Sequence, residues 1–158
     1  MYYQEVNWLP DIPSELLDDW ETIKNRGNIF KSKRVEGIYA SYLVSSKLRK
    51  FLQSYFDKPI NVRYQVINDQ LPVHIDAGGI FRKFNYLLDA GGESVFTRWW
   101  DSLDNPSTIV YQCQAQEFTW HQIKVNHAHD ISPIKRTRLS IEIHEPAKSE
   151  HLDEMPNW

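Results

Sequence analysis

From residue 60 onward the hydrophobic period of the chain becomes two, in one short run after another. Val62, Tyr64 and Val66 alternate with Asn61, Arg63 and Gln65, which sends apolar and polar side chains to opposite faces of an extended segment. Further strand-like runs lie at Leu71 to Asp76, Arg82 to Leu88, Ser94 to Trp100, Thr108 to Ala115, Phe118 to Val125 and Thr137 to His144, separated by Asn-Asp, Gly-Gly and Asn-Pro-Ser breaks. Seven short strands with no helices between them point to an antiparallel sandwich or barrel, and a jelly roll leads among these. Its eighth strand would come from Gly37 to Val44, which reads as strand or as helix.

The residues before this run read differently. Asp11 and Pro13 are helix start signals, and Leu16, Leu17, Trp20 and Ile23 then recur on one face at helical spacing. A basic loop from Lys24 to Arg34 follows, then a second helix capped by Ser45 or Ser46, carrying Leu48, Phe51, Leu52 and Tyr55 and ended by Asp57-Lys58-Pro59. With 158 residues, one domain is expected: 1–59 as helical support, 60–144 as the β core and 145–158 as a loosely held acidic tail.

Composition narrows the function classes. The 21 acidic against 18 basic residues give a net charge of −3, which supplies no field for holding a polyphosphate backbone, so nucleic acid is not an expected partner. No apolar run approaches a membrane span. Cys113, the single cysteine, has no internal disulfide partner, and the opening Met-Tyr-Tyr-Gln-Glu-Val lacks the basic and apolar regions of a secretory signal, so a reducing cytoplasm is expected. Six tryptophans suit either a filled β core or a stacking pocket.

The densest set of metal-binding side chains is His74 and Asp76, with His127 and His129 some fifty residues later. Two apart on a strand, His74 and Asp76 face the same side and can converge on one ion; the plain alternative is a histidine hydrogen-bonded to a neighbouring carboxylate. In the last run Leu139, Ile141 and Ile143 share one face while Arg138, Ser140 and Glu142 share the other, so a guanidinium and a hydroxyl lie side by side and can receive a carboxylate. A solvated outer face carrying Arg138 and Glu142 is the alternative there.

Taken in order, His74-Ile75-Asp76, His129-Asp130-Ile131 and Arg138-Leu139-Ser140 resemble the 2-oxoglutarate and Fe(II)-dependent dioxygenase family. That family has a His-x-Asp, a distal His commonly followed by x-Val, and an Arg-x-Ser or similar strand. Asp76 and His129 stand 53 positions apart, and His129 and Arg138 nine, separations typical of the family. Gly91-Gly92-Glu93-Ser94-Val95-Phe96 is similar to a Gly-Gly-Glu-Thr-x-Phe stretch of the prolyl-hydroxylase-like branch. The resemblance spans roughly residues 60 to 144 and implies a double-stranded β-helix, a cupin-like jelly-roll core.

It also implies a chemistry. Two imidazoles and one carboxylate would form a facial triad on Fe(II) and leave three adjacent positions open. By resemblance, His74, Asp76 and His129 are the catalytic metal ligands. 2-Oxoglutarate chelates through its keto and C1 carboxylate oxygens while Arg138 and Ser140 hold its distal carboxylate, and O2 takes the last position. The expected outcome is oxidative decarboxylation to succinate and CO2, coupled to hydroxylation of a small-molecule or peptide substrate. Asn85, which projects with Lys83 and Leu87, and Tyr64, ten residues before His74, are the further cosubstrate contacts expected. His127 competes with His129 and Arg136 with Arg138, while His121, His144 and His151 are expected to be structural or exposed. A cupin-like metalloenzyme without 2-oxoglutarate and a non-catalytic jelly-roll module are the competing readings.

Overall fold

The computed structural model describes residues 1–29, 33–76 and 82–145. The expected tail beyond Glu145, with His151, and part of the basic loop after Lys24 lie outside the described residues. The elements are β1 (Tyr3–Glu5), α1 (Trp20–Arg26), β2 (Tyr39–Leu43), α2 (Ser46–Gln53), β3 (Asn61–Ile67), β4 (Arg82–Asp89), β5 (Phe96–Trp100), β6 (Ile109–Cys113), β7 (Trp120–Ile123), β8 (His129–Ser132) and β9 (Arg138–Glu145). All the pairings are antiparallel, in a six-stranded sheet of order β1-β7-β4-β9-β3-β2 and a three-stranded sheet of order β6-β5-β8. The protein is therefore mostly β, as expected, and no helix among the described residues is long and apolar enough to cross a membrane.

Several expectations are corrected in detail. The first helix starts later than Asp11: a 3-10 turn covers Ser14–Leu16, and α1 begins only after Asp19, whose Oδ1 accepts the Thr22 N–H at 2.7 Å. Gly37 to Val44 resolves as a strand, because β2 pairs along β3. The part before residue 60 is thus more than helical support, since β1 and β2 form both edges of the larger sheet. Leu71 to Asp76 does not make a regular strand: Pro72 has no N–H, and the segment joins β8 through a single bridge from His74 to His129. Conversely β8 itself follows too irregular a stretch to be read from period alone.

The alternation seen in the sequence separates two interiors. Val62, Tyr64, Phe84, Tyr86, Ile141 and Ile143 project from the larger sheet to meet Ile23, Leu48 and Leu52 of the two helices in the main apolar core. Each fully buried side chain of this kind is worth about 1.5–3 kcal/mol relative to exposure. The other face of the same strands, turned toward the smaller sheet, is polar yet buried: Arg63 and Gln65 on β3, Lys83 and Asn85 on β4, and Arg138, Ser140, Glu142 and His144 on β9. Burying so many polar groups is costly unless they bond one another or a ligand. That inner face is where chemistry would reside.

Candidate metal centre

The bridge between the segment ahead of β4 and the start of β8 builds the centre. His74 N–H donates to His129 O at 3.0 Å and His129 N–H to His74 O at 2.9 Å, so the two residues are direct cross-strand partners. Their rings consequently stand with centroids 4.5 Å apart. Asp76, anchored by its own N–H to Val125 O at 3.1 Å, turns back on the same side. Its Oδ1 lies 3.3 Å from His74 Nε2 and 3.4 Å from His129 Nε2. The three potential ligand atoms all fall within 4.8 Å of one another.

Both imidazoles are oriented by the backbone. His74 Nδ1 lies 2.8 Å from Pro72 O and His129 Nδ1 2.7 Å from His127 O. A carbonyl can only accept, so each Nδ1 carries the hydrogen and each Nε2 presents a lone pair toward the shared space. This is the arrangement in which metal-binding histidines are held by their surroundings. Two imidazole nitrogens and a carboxylate oxygen form a mixed N/O set suited to Fe(II), Mn(II), Co(II) or Zn(II).

The carboxylate is kept ionised. Burial pushes the Asp76 carboxyl up, but the Lys83 ammonium 3.0 Å from its Oδ2 leads the influences that outweigh it and hold the group well below the usual range. Lys83 Nζ stands 3.0 Å from Asp76 Oδ2 and 3.1 Å from Glu142 Oε2, the latter an ion-pair contact rather than an aligned hydrogen bond. Burial likewise raises the Glu142 carboxyl, yet Lys83 and His144 bring it below its ordinary value. The Tyr39 hydroxyl donates to Glu142 Oε1 at 3.3 Å. None of Lys83, Glu142 and Tyr39 was singled out for a role from the sequence, where β2 was ambiguous and the acid and base on β4 and β9 read as ordinary strand polarity.

The other expected residues divide between the two faces. Arg138 is buried on the inner face at 4 % exposure, donating from Nη1 to Ala90 O at 3.1 Å while its Nε has no hydrogen-bond partner among the described residues. Burial draws its pKa down to about 10, so it remains cationic at neutral pH. Asn85 Oδ1 and His121 Nδ1, on residues that face each other across β4 and β7, are buried atoms that likewise have no hydrogen-bond partner among the described residues. His121, expected to be structural or exposed, is buried on this face.

Two expectations need correction. Ser140 does not stand free beside Arg138: its hydroxyl donates to Gln65 Oε1 at 3.0 Å, because the two residues are direct partners across β9 and β3. Tyr64 belongs to the helix-facing layer, where its hydroxyl donates to Asp18 Oδ2 at 3.3 Å and accepts Asp18 N–H at 3.0 Å. Its neighbours Arg63 and Gln65 take the inner face, and strand parity leaves Tyr64 the other. His127 spends Nε2 on Trp100 O at 2.9 Å and serves His129 through its carbonyl, so it is a support and not a convergent ligand. Arg136 lies at the surface, paired with Asp89 at 3.0 Å.

No family model and no curated protein matches this chain.

Proposed function

We propose that the protein is a small Fe(II)- and 2-oxoglutarate-dependent dioxygenase with a jelly-roll core, hydroxylating a peptide or amino-acid side chain or a small metabolite. The observation that carries this reading is the convergence of His74 Nε2, His129 Nε2 and Asp76 Oδ1, with both Nδ1 atoms committed to carbonyls.

Strand order supports the jelly roll. With β3 counted as strand one, the His74 segment as two and β4 to β9 as three to eight, the centre of the larger sheet runs six-three-eight-one. The smaller sheet, extended by the His74–His129 bridge, then runs five-four-seven-two. These are the pairings of two interleaved Greek keys.

The fit of a dicarboxylate rests on Arg138. A buried guanidinium whose Nε lacks a partner is costly on its own, and an incoming carboxylate would satisfy it with a charge-assisted bond. When bound, Fe(II) and 2-oxoglutarate supply the oxidising chemistry. The chain's own residues orient two imidazoles and one carboxylate, hold the far end of the cosubstrate and keep bulk water from the polar interior.

Anaerobic protein loaded with Fe(II) and titrated with 2-oxoglutarate is expected to develop a visible metal-to-ligand absorption band. Aerobic protein with iron and ascorbate should release succinate when the right member of a panel of peptides, amino acids and small metabolites is added. Metal uptake without the band would favour a metalloenzyme that does not use 2-oxoglutarate. Absence of metal uptake would leave a non-catalytic module.

A further inference from the structure

Asp76 offers two oxygens, and the structure assigns them different partners. Oδ1 faces the two Nε2 atoms at 3.3 and 3.4 Å, whereas Oδ2 is 3.0 Å from Lys83 Nζ. The ammonium is itself fixed. Its side chain is 7 % exposed, and Glu142 Oε2 lies 3.1 Å away on the other side. Glu142 is held in turn by the Tyr39 hydroxyl at 3.3 Å and approached by His144 Nε2 at 3.5 Å. Lys83 is thus clamped between the partly exposed Asp76 carboxylate and the buried Glu142 carboxylate and cannot leave this place without stranding charge on Glu142.

A carboxylate with both oxygens free can take a divalent ion through one or both, and the second mode uses an extra coordination position. We propose that Lys83 is a positioning residue that reserves Asp76 Oδ2, confines Asp76 to one-oxygen ligation and so keeps three positions on the ion open. This rests on the metal reading of the preceding subsection. The role shows in the number of waters the ion keeps, which a purely structural lysine would not change. An ammonium beside a divalent cation opposes it, so Lys83 weakens metal binding while protecting the vacancies.

The test uses Mn(II) as the probe on the full chain, with coordinated water counted by electron spin-echo spectroscopy in isotopically labelled water. A six-coordinate ion with three protein donors keeps three waters, and two-oxygen ligation by Asp76 leaves two. Wild-type protein is expected to show three waters. In Lys83→Met paired with Glu142→Gln, which removes both charges together, two waters and Mn(II) affinity higher by at least about threefold are expected. Lys83→Arg should restore three. Two waters in the wild type would overturn the inference without any variant, and so would three waters with unchanged or weaker affinity in the double variant. Failure of wild-type protein to take up Mn(II) at all would instead overturn the metal reading on which this depends.

Discussion

His74 and His129 exchange backbone hydrogen bonds in both directions, at 3.0 and 2.9 Å, although 55 positions separate them in the chain. The pairing fixes the distance between the two imidazoles before any ion arrives, so little reorganisation is needed for binding. Replacing His74, Asp76 or His129 by Ala should abolish Fe(II) or Mn(II) binding in calorimetry. His127→Ala, which removes a ring bonded to Trp100 O, should leave it within a few-fold of wild type. Undiminished affinity in His129→Ala would discard the assignment.

Arg138 provides the second check. Losing a charged hydrogen bond in a buried site costs about 2 to 5 kcal/mol, which is roughly thirtyfold or more in affinity. Arg138→Ala should raise the apparent Kd for 2-oxoglutarate by that factor and spare metal affinity. Arg136→Ala should do little to either, since that side chain is 58 % exposed. An unaltered titration in Arg138→Ala would remove the residue from the site.

Tyr64→Phe tests the division of the faces. The hydroxyl bonds Asp18 in the helix layer, so its loss should lower stability by about 1 kcal/mol in urea unfolding. Metal and 2-oxoglutarate affinity should not move. A loss of cosubstrate binding would place the ring back at the site.

His121 gives the fold a pH dependence of definite sign. Burial, and then the Arg138 charge, lower its pKa from 6.5 to about 3. The folded ring stays neutral while the unfolded ring takes a proton below 6.5, so stability is full above that value and falls as pH drops toward 3. Within that window one pH unit costs at most about 1.4 kcal/mol. Asp76 and Glu142 join in only below their ordinary values of 3.8 and 4.5. Urea midpoints between about pH 4.5 and 6.5 should therefore fall in wild type and be flatter in His121→Gln; identical slopes would contradict the burial of a neutral imidazole.

Gly91 couples a turn to Arg138. At φ +82, an added Cβ would come within 3.0 Å of both Arg136 O and Arg138 Cβ. Gly91→Ala should destabilise the protein by roughly 1–3 kcal/mol and also weaken 2-oxoglutarate binding by displacing Arg138. A normal melting temperature with normal cosubstrate affinity would show that the turn yields freely.

Much of this was legible as period. The runs around Val62, Arg82 and Arg138 became β3, β4 and β9, and the polar parity of the last one fell on the buried inner face. What period does not encode is partnership. Nothing local tells that Ser140 meets Gln65, that Lys83 bridges Asp76 to Glu142, or that the carbonyl of His127 matters more than its ring. Those contacts follow from register across strands distant in sequence. Tyr64 shows the opposite failure: its parity was readable, yet its position ten residues before His74 drew it toward a role that its face does not permit.

The two-sidedness of β9 has a consequence for how this protein could change. Leu139, Ile141 and Ile143 serve only the helix-facing core, while Arg138, Ser140 and Glu142 serve only the inner face. Fitness contributions from odd and even positions of one eight-residue strand are then nearly separable. A lineage, or a laboratory library, can vary the even positions to alter what is held inside without disturbing the helix-facing core, provided that the buried partners, Lys83 for Glu142 and Gln65 for Ser140, change with them. It can also harden the odd positions against heat without touching what is held inside.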